Sequence, residues 1–176
     1  YETAGRRLLA LLAEFSIPAT FFAVGRNLGL PEARDFVRAS RTLGHEIGNH
    51  TENHRELSVL SERDQINELV LCHRRLMDLL GEAPRGFRGG SMQVTRAILE
   101  EMRLLGYEYD SSSYPTLWNF FLFGWLYLVA GGNPRYRPRW RHLAAGFGRK
   151  TPYKESNRRS GSPGVRTIAF IPTTVV

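Results

Sequence analysis

Cysteine, lysine and long apolar runs are all scarce in this chain of 176 residues. Cys72 is the single cysteine, which excludes an internal disulfide framework and a metal cluster built from thiolates. It stands in an apolar helical pattern, so we expect a buried, unreactive thiol. The longest apolar stretch, residues 117–130, is shorter than the roughly 20 residues that a membrane-spanning helix needs.

The start of the given sequence does not resemble a secretory leader, and a leader or anchor upstream of Tyr1 stays open. The first residues lack the charged and apolar regions of a signal peptide, and the chain begins at Tyr1 rather than at a methionine. We therefore expect a piece of a longer chain. Its compartment, cytoplasm or cell envelope, stays open.

Positive charge comes almost entirely from arginine, because Lys150 and Lys154 are the only lysines among 24 basic residues. The formal net charge of +7 attracts anionic partners, and nucleic acid is the first to consider. The arginines are scattered through the first hundred residues, however, and become dense only between Arg135 and Arg166. Nucleic-acid binding, which would weaken steeply with salt, is therefore the last of our hypotheses.

Apolar periodicity alternates between helical and strand patterns along most of the chain. We predict helices over residues 2–16, 31–42, 62–80 and 94–105, and short strands over residues 19–24, 45–48, 87–90, 107–110 and 165–171. The apolar run 19–24 fits a strand buried on both faces. This alternation is typical of an α/β fold with a mainly parallel sheet, in one domain spanning residues 1–176.

Residues 117–164 interrupt the alternation. Residues 117–130 are apolar and aromatic, and we rank a core helix first, a lid over an apolar acceptor second and an interfacial segment third. Residues 131–164 are rich in Gly, Pro, Arg and Ser, which favours an irregular insertion over a second domain.

Three of the five histidines fall within residues 44–54. His50 and His54 have the H-x-x-x-H spacing that can bring two imidazoles to one metal ion. They follow the predicted strand 45–48 directly, at the end where α/β folds place their active sites. A polar loop whose histidines make ordinary hydrogen bonds is the alternative. His73 lies inside the predicted helix 62–80, and we expect it to be structural or solvent-facing.

The order of motifs resembles the polysaccharide deacetylase family (carbohydrate esterase family four). The resembling segments are residues 18–22 (PATFF) with Gly25, 44–54 (GHEIGNHTENH), 87–91 (FRGGS), 109–112 (YDSS) and 171–174 (IPTT). The resemblance implies a distorted (β/α) barrel, incomplete in this chain. It also implies a metal-dependent hydrolase that removes N-acetyl groups from a polysaccharide or glycoconjugate sugar.

The resemblance assigns metal ligands by position. His50 and His54 would bind a divalent ion, with zinc as the first choice. Thr51, between them, would set the geometry of the pair. The implied chemistry is metal-assisted amide hydrolysis, with an aspartate as base and a histidine as acid.

Catalytic and substrate-binding residues carry over in the same way. Arg88 would orient the catalytic aspartate and keep it charged, and Asp110 joins Arg88 as a predicted catalytic residue. Main-chain N–H groups near Gly90 and Ser91 would lie by the substrate oxyanion.

Three departures from the family pattern stand out. The paired aspartates of its first motif, the base and the third ligand, should precede the helix 2–16, yet Asp35 is the first aspartate here. The motif that supplies the acid is absent before Val176, and His142 lacks its neighbours. Gly90 stands where the family favours proline. We expect both missing motifs in a longer chain.

A different class of function remains open, a non-catalytic module that keeps the fold and binds a carbohydrate. The expected partner under either hypothesis is an N-acetylated polysaccharide or a lipid-linked sugar, and no nucleic acid is expected. Peripheral membrane contact stays open. The sequence leaves the oligomeric state open.

Overall fold

The computed structural model of the chain describes residues 2–92, 94–112, 118–133, 137, 153–154 and 169–170. Five α-helices lie within these residues: α1 (Glu2–Glu14), α2 (Pro31–Thr42), α3 (Glu62–Leu80), α4 (Arg96–Leu105) and α5 (Trp118–Val129). Six strands lie there too: β1 (Thr20–Ala23), β2 (Glu46–Asn49), β3 (Gly86–Phe87), β4 (Tyr109–Asp110), β5 (Tyr153–Lys154) and β6 (Ala169–Phe170). The first four helices begin and end within two residues of their predicted bounds.

Local sequence signals set the ends of α3 and α4. The hydroxyl of Ser61 accepts the main-chain N–H of Asp64 and caps the first turn of α3. Gly81 ends α3 in the left-handed region at φ +73°, which glycine adopts without a steric penalty. Thr95 caps α4 in the same manner as Ser61.

The six described strands form one sheet in the order β1-β2-β3-β4-β6-β5. Neighbouring strands are parallel except β5, which is antiparallel to β6. This arrangement confirms the α/β prediction. Since β1 to β4 run the same way, their carboxyl ends meet at one edge of the sheet, and this edge carries the residues discussed below.

Burial of β1 was predicted wrongly. Its first residue, Thr20, is exposed and the next three are only half-buried. The reason is position, because β1 is the first strand in the described order and pairs there with β2 alone. An apolar run cannot by itself distinguish an edge strand from a central one.

Two apolar clusters fill the space between the sheet and the helices. The first joins α3, α4 and β3, and contains Leu57, Leu69, Phe87, Ile98, Met102 and Tyr107. The second joins α2, α3 and β2, and contains Leu28, Val37, Ile47, Cys72 and Leu76. The thiol of Cys72 is buried as predicted, and this burial raises its pKa to about 12.

Helix α5 is present, but the prediction of a core helix is wrong. Its side chains at Leu122, Trp125, Leu128 and Val129 are exposed by 38, 60, 77 and 66%. Among the described residues, no helix is both long enough and apolar enough to cross a membrane. Most of residues 131–164, and of the predicted strand 165–171, lies outside the described residues.

Candidate metal centre and active site

The carboxyl ends of β2, β3 and β4 place three predicted residues side by side. His50 follows β2, Arg88 follows β3, and Asp110 ends β4. The strand register pairs Asn49 with Phe87 and Phe87 with Asp110. Parallel pairing therefore brings together residues that are far apart in sequence.

A main-chain contact fixes the tautomer of His50. Its Nδ1 lies 2.7 Å from the main-chain oxygen of Arg88. A carbonyl oxygen only accepts, so Nδ1 carries the proton and Nε2 keeps its lone pair for another partner. Burial lowers the pKa of His50, and the nearby His54 and Arg88 lower it further, against the opposing effect of the carbonyl contact. The imidazole is therefore neutral near pH 7, as a ligand must be.

His54 stands next to His50 on the loop after β2. The two ring centroids are 4.6 Å apart, and the ring planes are inclined by 79°. His50 is half-buried and His54 is exposed, so the pair opens to solvent on the side of His54. The structure thus brings together the two residues predicted as metal ligands.

The loop that carries the histidines is strained and held by buried polar groups. Thr51 and His54 both have positive φ, +65° and +56°, which non-glycine residues rarely adopt. The Oδ1 of Asn49 accepts the N–H of Thr51 at 2.8 Å, and the Oγ1 of Thr51 accepts the N–H of His54 at 3.0 Å. The latter contact links Thr51 to His54, while its expected role in the geometry of a metal site stays a prediction.

Helix α3 anchors the same loop through a buried carboxylate. Glu68 accepts both the main-chain N–H and the side-chain Nδ2 of Asn53, at 2.7 and 2.9 Å. Glu52, also buried, pairs with Arg75 at 3.0 Å. A Cβ added at Gly25 would overlap the Glu52 carboxylate and lie 3.0 Å from the Cβ and 3.1 Å from the Cα of Cys72, so a larger residue would be crowded there. The sequence did not predict either carboxylate as part of the site.

A buried network behind the loop was also missed. Asn49 donates from Nδ2 to the carbonyl of Leu69 and to the hydroxyl of Tyr107. The same hydroxyl contacts Nδ1 of His73 at 3.1 Å. His73 is therefore structural, one of the two roles predicted for it. The only sequence signal was the place of Asn49 in the motif, since its partners are 20 and 58 residues away.

The histidine pair fits part of a transition-metal site. Two neutral imidazoles suit zinc and related divalent ions, which take three or four protein ligands. Within the part of the chain that the structure describes, no group of three or more His, Cys, Asp and Glu side chains could hold an ion. Asp35, the first aspartate of the sequence, is exposed on α2 beside Arg6 and Glu32.

The side chain of Arg88 reaches from the end of β3 to Ser111, just after β4. Its Nε donates to the carbonyl of Ser111 at 3.1 Å and its Nη2 to the Ser111 hydroxyl at 2.8 Å. The guanidinium also lies over the ring of Phe22, 4.3 Å from its centroid. Partial burial lowers the pKa of Arg88, while Tyr109 and Asp110 oppose that change. These contacts fix the side chain that was predicted to orient a catalytic aspartate.

Asp110 is fully buried and bound to its own turn. Its carboxylate accepts both the N–H and the hydroxyl of Ser112, and the Ser112 oxygen accepts the N–H of Gly89 at 2.8 Å. Burial raises the pKa of Asp110 to about 6. The side chain has no accessible surface, and Ser112 connects it by hydrogen bonds to Gly89 in the turn after β3. Its predicted catalytic role stays a prediction.

Gly90 and Ser91 form a 3₁₀ turn, Gly90–Met92, that packs on the histidine loop. A Cβ added at Gly90 would lie 2.5 Å from the carbonyl oxygen of Arg55 and 3.2 Å from the carbonyl carbon of His54. Ser91 is exposed with φ +56°. The turn is thus next to the histidines, while its predicted contact with substrate stays a prediction.

The described part of the chain is thus an α/β fold whose parallel strands bring paired histidines and an arginine to one edge of the sheet. Residues 1–109 match the family model described as "Polysaccharide deacetylase", and the chain belongs to that family. This confirms the resemblance stated from the motifs.

Two relatives illustrate the match. A chitin deacetylase of Colletotrichum lindemuthianum is 31% identical over 104 residues, covering 57% of this chain and 42% of the relative. A peptidoglycan-N-acetylglucosamine deacetylase of Bacillus cereus is 32% identical over 82 residues, covering 47% of this chain and 29% of the relative. The chain thus matches less than half the length of either relative.

Solved structures agree on the fold. An allantoinase superposes with a TM-score of 0.63 at 24% identity, covering 96% of this chain and 43% of that protein. A family 4 carbohydrate esterase pseudoenzyme of Bacillus anthracis gives a TM-score of 0.55 at 22% identity, covering 60% of this chain and 37% of that protein. The fold is therefore the distorted (β/α) barrel of the polysaccharide deacetylase type, and the described strands form part of it.

Proposed function

We propose that this chain carries the metal-binding part of a hydrolase that removes N-acetyl groups from polysaccharide or glycoconjugate sugars. One observation supports it most, the contact between His50 Nδ1 and the Arg88 carbonyl that leaves Nε2 free beside His54. Membership of the deacetylase family supports a carbohydrate substrate. Relatives named as chitin and peptidoglycan deacetylases support an N-acetylated polysaccharide.

The proposed reaction is hydrolysis of an acetamide. The amide C–N bond breaks, water adds to the acyl carbon, and acetate and a free amine leave. A divalent ion, zinc first, would supply Lewis-acid polarisation when bound. His50 and His54 would hold it, while the third ligand, the base and the acid would come from other parts of a longer chain, as the family pattern implies.

The neighbouring strand ends would serve the substrate. Arg88, fixed by Ser111 and Phe22, would present its guanidinium to the catalytic carboxylate. The main-chain N–H groups near Gly90 and Ser91 would face the oxyanion, where fixed donors lower the energy of the transition state.

A non-catalytic saccharide-binding module is the second candidate. The described residues bring two imidazoles together without a third ligand, which is the observation in its favour. Such a module would bind N-acetylated sugars without releasing acetate, even in a chain extended at both ends.

The discriminating experiment measures metal content by elemental mass spectrometry and acetate release from chitooligosaccharides. We expect about one zinc-like ion and measurable turnover in a form extended at both ends, with less metal in the chain as given. His50→Ala and His54→Ala should abolish metal binding, and His73→Ala, a control in the buried network, should retain it. Equal metal binding by all three variants would refute the site. Metal-free extended protein that binds sugar would favour the module.

A further inference from the structure

The side-chain amide of Asn49 is held in one orientation by main-chain groups around it. Its Oδ1 accepts the N–H of Thr51 at 2.8 Å, and its Nδ2 donates to the carbonyl of Leu69 at 2.9 Å. Because a main-chain N–H only donates and a carbonyl oxygen only accepts, turning the amide round would lose both hydrogen bonds. The second hydrogen of Nδ2 is therefore donated to the hydroxyl oxygen of Tyr107, 2.7 Å away.

This contact also sets the direction of the next hydrogen bond. Since the Tyr107 oxygen accepts from Asn49, the hydroxyl proton is left to be donated to another group. Among the described residues, Nδ1 of His73 is placed to accept that proton, at 3.1 Å. Burial lowers the pKa of His73, so its ring is neutral near pH 7 and carries its proton on Nε2. His50 has the opposite tautomer, with its proton on Nδ1.

The same chain of contacts continues from Asn49 into the loop that carries the histidines. Thr51 and His54 have φ of +65° and +56°, a conformation that non-glycine residues keep only where their surroundings hold them. Asn49 holds the N–H of Thr51, and the hydroxyl of Thr51 holds the N–H of His54. The orientation of the Asn49 amide therefore affects where His54 lies relative to His50.

We propose that Tyr107 is a positioning residue for the imidazole pair, and that its hydroxyl acts through Asn49 to hold the turn at Thr51. The inference rests on the proposed function, in which His50 and His54 hold the metal ion. Tyr107 and Asn49 have no exposed surface. The hydroxyl of Tyr107 thus reaches the loop through Asn49 and not by touching a ligand.

The apolar packing of Tyr107 is separable from its hydroxyl. Its ring belongs to the apolar cluster that joins α3, α4 and β3, and lies edge-on to the ring of Phe87 at a centroid distance of 6.4 Å. Tyr107→Phe keeps these ring contacts. It leaves a buried hydrogen of Asn49 without an acceptor, which favours rotation of the amide away from Thr51. His73→Ala leaves the hydroxyl in contact with Asn49, so it should disturb the turn less.

The test is amide hydrogen exchange, followed by NMR in the metal-free chain. We expect the N–H groups of Thr51 and His54 to exchange at least about tenfold faster in Tyr107→Phe than in the parent. The amides of α2 report overall stability, and the tenfold difference is counted beyond any change in their rates. Tyr109→Phe is the matched control, because the half-buried Tyr109 side chain hydrogen-bonds to Glu46 at the far end of β2.

The imidazole nitrogen signals of the parent provide a second measurement that needs no variant. We expect the signal of an unprotonated nitrogen for Nδ1 of His73 and that of a protonated nitrogen for Nδ1 of His50. A third measurement is zinc affinity in a form extended at both ends. It should fall about tenfold for Tyr107→Phe and stay unchanged for Tyr109→Phe.

Three results would overturn the role of Tyr107. They are a protonated Nδ1 in His73, exchange at Thr51 and His54 that is no faster than the α2 amides account for, and unchanged zinc affinity of Tyr107→Phe where the extended parent binds zinc. An extended parent that binds no zinc would instead refute the proposed function. The exchange rates at Thr51 and His54 would still decide whether Tyr107 holds the turn.

Discussion

The Nδ1 atom of His50 and the main-chain oxygen of Arg88 lie 2.7 Å apart across two neighbouring strand ends. Because the contact uses the carbonyl, the guanidinium of Arg88 remains available to bind Ser111. One residue therefore performs two separable tasks. Its main chain fixes the tautomer of His50, a predicted metal ligand, and its side chain binds Ser111 at the end of β4.

That separation predicts the behaviour of Arg88→Ala. The substitution keeps the carbonyl, so metal binding at His50 should be unchanged. Turnover in the extended protein should fall at least about a hundredfold, because the charged group at the β4 end is lost. Metal content and acetate release measure the two effects. Arg96→Ala, on the exposed side of α4, is the control. Turnover equal to that of the control would remove Arg88 from the mechanism.

Close packing at Gly90 predicts the effect of Gly90→Ala. The new Cβ would lie 2.5 Å from the Arg55 oxygen, so the turn and the histidine loop must move apart. We expect a loss of about 1–3 kcal/mol in unfolding free energy, and weaker metal binding. Urea denaturation and metal titration measure both quantities. At Gly29 an added Cβ meets nothing within 4 Å, so Gly29→Ala should behave like the parent. Similar results for the two variants would contradict the packing argument.

Glu68 offers a test of the loop anchor. Glu68→Ala removes the two carboxylate oxygens that accept hydrogen bonds from Asn53, one from its main-chain N–H and one from its side chain. Hydrogen bonds to a charged group contribute roughly 1.5–3 kcal/mol each, so unfolding free energy should fall by about 2–4 kcal/mol. Glu68→Gln keeps one acceptor and should lose less.

The matched control is Glu100→Ala, which removes an exposed carboxylate from α4. Such surface pairs contribute little, so its unfolding free energy should stay close to that of the parent. We expect metal affinity to fall for Glu68→Ala and to stay unchanged for Glu100→Ala. The proposed anchor would be disproved if Glu68→Ala, like Glu100→Ala, kept the metal affinity and the stability of the parent.

The raised pKa of Asp110 predicts how the stability of the fold depends on pH. Burial raises its pKa from 3.8 to about 6, so between these values the folded state keeps a proton that the unfolded state has lost. The contribution of Asp110 to stability is therefore largest below pH 4 and falls as pH rises towards 6. Between about pH 4.5 and about pH 7 the change is about 2 kcal/mol.

Asp110→Asn isolates that contribution. Burial lowers the pKa of His50 and of His73, so these groups make stability depend on pH in the opposite direction. They titrate alike in the parent and in the variant. Their effects therefore cancel when the unfolding free energy of the parent is subtracted from that of the variant. We expect this difference to shift in favour of the variant as pH rises, as measured by urea denaturation at several pH values. A difference that stays constant with pH would show that the pKa of Asp110 is not raised.

Much of this site follows from the sequence alone. The spacing of His50 and His54, their place after an apolar strand, and the cap and stop signals at Ser61 and Gly81 are local features, and local features determine α3 and the loop after β2. The motifs also identified the family, because they occur in a fixed order along the chain.

Only the tertiary structure decided which residues support the histidines. Glu68, Tyr107 and the carbonyl of Arg88 bind Asn53, Asn49 and His50, respectively. These partners are 15, 58 and 38 residues apart in sequence, and no periodic pattern encodes such contacts. Burial likewise depends on neighbours. Among the described residues, the apolar run of β1 pairs on one side only and the apolar α5 is exposed, because hydrophobicity specifies what a segment prefers but packing determines what covers it.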